Sequence, residues 1–115
     1  RIANMDPIAT ATLKLSANRG TARLWLEGAK LAKAGFKRGD NITLAKVNEL
    51  DGTTTVIIGA RPDGKDGKVA GRERNGNPLP IIDRHVSEWT ALIGTHKLSV
   101  EYMPGAVVIT PERIN

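Results

Sequence analysis

Residues 21–59, TARLWLEGAKLAKAGFKRGDNITLAKVNELDGTTTVIIG, read as strand, short helix, strand, turn and strand, and residues 78–112, PLPIIDRHVSEWTALIGTHKLSVEYMPGAVVITPE, repeat that order in fewer positions. In the first copy Leu24, Trp25 and Leu26 run into acidic Glu27, an apolar-periodic stretch fills 29–36, Ile42 and Leu44 alternate, and Val56, Ile57 and Ile58 close the unit. In the second, Ile81, Ile82 and acidic Asp83 lead through 85–93 to Leu98 and Val100, then to Val107, Val108 and Ile109. The offset is 56 residues at Glu27/Asp83 and again at Ile42/Leu98. Two degenerate copies of one short unit predict a single pseudo-two-fold domain rather than two independent ones.

Leu24 and Leu26 alternate with Trp25 in a run bounded by turn residues, the signature of a strand with one buried face. Trp25 either packs under a helix or stands on the opposite sheet face, and core packing is the expectation. Leu31, Ala34 and Phe36 give residues 29–34 a helical apolar face, with Lys30 and Lys33 toward solvent and Gly35 as the stop. Asp51-Gly52 is a hairpin signal before the β-branched run 53–58. Residues 68–74 are expected to form a strand returning through Asn75-Gly76, mirroring a hairpin around 18–20. A second short helix is expected over 85–93, ended by Gly94, and a last hairpin across Pro104-Gly105. Helices this short need the sheet to hold them. They also argue against a doubly wound nucleotide-binding fold, whose crossovers are longer and whose first turn carries spaced glycines.

A chain of 115 residues fits one domain, 1–115, with a first repeat at 12–60, a flexible linker at 61–67 and a second repeat at 68–112. Residues 1–8 lack a signal-like apolar run and are expected to be disordered or foreign to the natural chain. No apolar stretch is long enough to span a bilayer, so no membrane partner and a cytoplasmic location are expected. With no cysteine, disulfides, thiolate metal sites and a cysteine nucleophile are excluded together. Histidine occurs only at His85 and His96, and no spacing implies a metal, a cofactor or a catalytic constellation. Glu27 and Asp83 each precede a helix, where a carboxylate is favoured as a cap. An enzyme is the last class expected.

The run 22–44, ARLWLEGAKLAKAGFKRGDNITL, resembles the SymE family of small bacterial toxins: a basic apolar strand at 24–26, Gly28, a short helix ending in Ala34-Gly35-Phe36, then Gly39 and a strand. The closing Gly-containing strand of that family is matched best by 105–110 and less well by 53–58. The run also resembles a small unit found with phage and mobile-element DNA cytosine methyltransferases. SymE-like units belong to the AbrB-type swapped-hairpin superfamily of regulators and antitoxins. The resemblance therefore implies a mostly β, α+β swapped-hairpin barrel whose two halves form a pseudo-dimer in one chain, with a basic surface for DNA. The second half departs from the motif, replacing Ala-Gly-Phe with residues 89–93.

The charge fits that implication without requiring it: 17 Lys and Arg against 12 Asp and Glu give +5. The basic positions singled out are Arg19 and Arg23 in the first hairpin, Lys37 and Arg38 after the first helix, Lys68, Arg72 and Arg74 in the central strand, and Arg84 after the second acidic position. Arginine suits bidentate contact with guanine and lysine suits phosphate. Few aromatics accompany them, so duplex DNA is expected over single strands. The expected function is a small duplex-binding regulator or accessory factor of a phage or mobile element, acting as a monomeric pseudo-dimer or a homodimer. The alternatives are a SymE-like toxin acting on RNA or other nucleic acid, and a protein-binding module such as an inhibitor of a host defence complex or a methyltransferase-docking domain.

Overall fold

Among the described residues the chain builds nine strands, and their registers decide how the strands combine. The computed structural model describes residues 6–13, 16–18, 21–48, 50, 54–85 and 97–112. The elements run β1 (Ala9–Leu13), β2 (Ser16–Asn18), β3 (Thr21–Glu27), α1 (Ala29–Lys33), β4 (Ile42–Asn48), β5 (Thr54–Ala60), β6 (Ala70–Arg74), β7 (Asn77–His85), β8 (Lys97–Met103) and β9 (Ala106–Glu112). All pairings are antiparallel. They form a five-stranded sheet in the order β1-β8-β9-β5-β4 and a four-stranded sheet in the order β2-β3-β7-β6.

This arrangement corrects the expected swapped-hairpin barrel with two helices. The two ladders are separate and each ends in edge strands. β1, most of which precedes the first repeat, pairs with β8 along its whole length and occupies the side of β8 through which a ring would close. Among the described residues α1 is the one helix; the second expected helix falls mainly on residues 86–96, outside them.

The registers nevertheless carry a two-fold relation. Leu26 pairs with Ile82, the residue 56 positions on, and the flanking pairs Trp25–Asp83 and Glu27–Ile81 exchange under the same shift. The hairpins that flank this centre correspond too, since Ser16–Arg23 in β2–β3 shifts onto Arg72–Leu79 in β6–β7. In the larger sheet Ile57 pairs with Val108, with Val56–Ile109 and Ile58–Val107 on either side.

One core joins the layers. The five-stranded sheet contributes Val56, Ile58, Leu98, Val100, Tyr102, Val107 and Ile109, all buried, and the four-stranded sheet contributes Leu24, Leu26 and Ile82. Each such side chain contributes about 1.5–3 kcal/mol on burial. Ile42 lies in the same cluster as Leu98 and Val100, with Leu44 packed against it. Five residues of helix are too few to persist alone, and α1 is held through Leu31 and the following Ala34 and Phe36, all buried. Its end is closed by Gly35 N–H donating to Ala32 O and Phe36 N–H donating to Leu31 O, while Gly105 N–H in the β8–β9 turn donates to Ala34 O.

Residues 61–67, expected as a flexible linker, are bonded along β4. Asp66 N–H donates to Ile42 O, Ile42 N–H to Gly67 O, and Leu44 N–H to the Asp66 carboxylate at 2.8 Å. Trp25 departs from its expected core position: it stands 40% exposed on the outer face of the four-stranded sheet, between buried Leu24 and Leu26.

Candidate nucleic-acid interface

The turn after α1 and the start of β6 meet because both are tied to the same buried residue. Asp40 closes the turn on itself, its carboxylate accepting the Lys37 N–H at 2.8 Å. Gly39 N–H then donates to Val69 O at 2.8 Å and Val69 N–H donates to Asp40 O at 2.9 Å. Val69 is buried in the core and fixes this junction, and Asn41 makes an isolated bridge with Lys68 beside it. One turn further on, the methylenes of Arg38 lie over Gly71: a Cβ there would meet three of them at 3.1 Å.

Lys37, Arg38, Lys68 and Arg72 are thereby brought to one border of the four-stranded sheet, along its edge strand β6, from segments about thirty residues apart. All four are exposed. Arg38 lies on the face of β6 that Gly71 presents and Arg72 on the opposite face with Glu27, and the field of each exposed cation reaches outward over roughly 8 Å at physiological salt. β6 turns into β7 through Asn75-Gly76, whose φ values of 54° and 78° fit the two-residue hairpin turn that Asn-Gly favours.

Arg72 also shows a contact that sequence reading missed. It bonds Glu27 across β7, with the two side chains 57% and 34% exposed. Glu27 is therefore no helix cap; the α1 N-cap is Gly28 and no side chain bonds there. No signal in the sequence marks this pair, because its members are 45 positions apart. A groove of about 460 Å³ was likewise not foreseen: it lies between Phe36 and the Pro78-Leu79-Pro80 segment, with Lys37 and Arg38 on its wall.

The other basic candidates are placed only in part. Arg19 lies outside the described residues. For Arg23, Arg74 and Arg84 the backbone alone is described: Arg23 pairs with Ser16 and His85, Arg74 with Asn77 at the β6–β7 turn, and Arg84 with Leu24. Among titratable groups, burial pushes the Tyr102 hydroxyl above the usual tyrosine range. Among the described residues no group of three or more His, Cys, Asp or Glu side chains is placed to hold a metal ion. No helix of the described residues is long and apolar enough to cross a membrane.

No family model, no curated protein and no solved structure matches the chain.

Proposed function

We propose that this protein binds duplex DNA through the border formed by Lys37, Arg38, Lys68 and Arg72 and the basic β6–β7 hairpin, as a regulator or accessory factor of mobile DNA. The observation that carries the reading is the junction at Val69, which gathers four exposed cations from two distant segments onto one edge. Cations on a short antiparallel ribbon suit the major groove of B-DNA, which admits a two-stranded ribbon. The deep, narrow major groove of A-form RNA does not. Lysine at 37 and 68 supplies phosphate contacts, and arginine at 38 and 72 supplies forked donors for phosphate or guanine. The mobile-DNA setting comes from the SymE-like run at 22–44.

A competition titration tests it. Labelled mixed-sequence duplex DNA is bound at low salt and challenged in turn with unlabelled duplex DNA, duplex RNA and single-stranded DNA. The proposal expects duplex DNA to compete best. Preference for duplex RNA moves the toxin-like alternative first, and absence of binding to all three removes the nucleic-acid reading.

A further inference from the structure

Strand β3 leaves the four-stranded sheet at Glu27, opposite Ile81, whereas β7 begins further out, at Asn77. The chain departs through Gly28 into α1, so Pro78 and Pro80 have no paired strand on that side. Gly28 N–H donates to Pro80 O at 3.1 Å, so Pro80 presents its backbone to this open side, and Pro78, two positions away, presents its own the same way. Proline has no N–H, and the open side therefore lacks the donors that an added strand would need. It forms instead the groove of about 460 Å³ between these prolines and the end of α1, based on buried Phe36 and lined also by exposed Ala32. Both charged residues of its lining, Lys37 and Arg38, are positive, and the stem of Arg38 is packed over Gly71.

We propose that this groove receives an acidic peptide segment of a partner protein, with an apolar side chain seated against Phe36 and the prolines and flanking carboxylates on Lys37 and Arg38. Its volume falls within the range of pockets that enclose a ligand group. The cationic border continues past the groove to Lys68, a track that several carboxylates along a chain follow and a single free acid does not. Glu73 pairs with Pro78 and so lies on the groove's face of the hairpin, exposed. It repels carboxylates from the β6–β7 turn and directs them toward Lys37 and Arg38. A peptide seated there covers two of the cations assigned to DNA above and displaces the duplex; that displacement, unlike the seating, rests on the duplex-binding reading.

Fluorescence polarisation with the full chain and a labelled peptide, Glu-Asp-Phe-Leu-Glu-Asp, tests this. Two control peptides replace either the apolar pair by serine or every carboxylate by its amide. Each control should bind about tenfold more weakly, since each removes one half of the match. The variant Ala32→Phe, which fills the groove from an exposed helical position, should weaken the first peptide by a similar factor while its melt and its duplex affinity stay unchanged. If that variant fails to fold, the control peptides on the natural chain decide. Equal binding of the serine peptide, equal binding of the amide peptide, or no binding of the first overturns the proposal. So does equal competition by free 3-phenylpropanoate, which assigns the groove to a small apolar acid, or a sedimenting dimer that Ala32→Phe dissociates, which assigns it to a second copy. Peptide binding without any duplex binding at low salt leaves the groove standing and overturns the duplex reading; peptide binding that fails to displace bound duplex overturns the overlap.

Discussion

Glu27 and Arg72 are joined at the surface, where an ion pair stabilises by less than about 1 kcal/mol, so the pair's importance lies in what it does to Arg72's charge. Glu27→Gln should leave the urea midpoint nearly unchanged. It should strengthen duplex binding severalfold and steepen the salt dependence by up to about one unit, since Arg72 no longer has to exchange a carboxylate for phosphate. Weaker binding would show instead that Glu27 holds Arg72 in its working position. At Gly64 the expected effect is on folding. A Cβ there would lie 2.6–2.9 Å from the Ile42 backbone, so alanine must push β4 away. Gly64→Ala should cost about 1–3 kcal/mol in a urea titration; an unchanged midpoint would show that residues 61–67 yield without disturbing β4.

The β6–β7 hairpin is the element on which the interface depends. Arg72→Ala/Arg74→Ala should flatten the salt slope of duplex binding by about one to two units, Arg72 contributing less than a full unit while it is paired with Glu27, and should leave the melt nearly unchanged, because β6 is an edge strand and Arg72 is exposed. An unchanged slope with an intact fold would take this hairpin out of the site. At this scale the sequence was readable wherever local chemistry decides. Alternation marked β3, β4 and β8, Asn75-Gly76 marked the β6–β7 turn, and Leu31, Ala34 and Phe36 marked α1. What stayed hidden depends on long-range pairing. The repeated order of elements was visible, yet nothing local in residues 9–13 says that β1 adds to β8, which is the difference between a ring and two sheets. Trp25 was expected in the core, and register put Leu24 and Leu26 there instead. The basic residues were visible one by one. Their gathering was not, since it depends on two hydrogen bonds to Val69 from a turn thirty positions away.

The whole molecule depends on both halves at once. Val56 and Ile58 of β5 face Ile109 and Val107 of β9, and Ile42 shares its cluster with Leu98 and Val100. Neither half closes this core alone, and a chain of half the length buries too little surface to be stable. Fragments cut near Gly64 should each be unfolded by circular dichroism and regain structure only when mixed; two independently folded fragments would contradict the shared core. The central claim, that the gathered cations form a duplex-binding surface, is reached most directly by the dependence of binding on salt. Four phosphate contacts predict that log K against log salt falls with a slope of about −3 to −4 for duplex DNA. A slope in that range, lowered when Lys37, Arg38, Lys68 and Arg72 are replaced together by alanine in a chain that still melts cooperatively, is the predicted result. A slope near zero, or one that the four replacements leave unchanged, would contradict it.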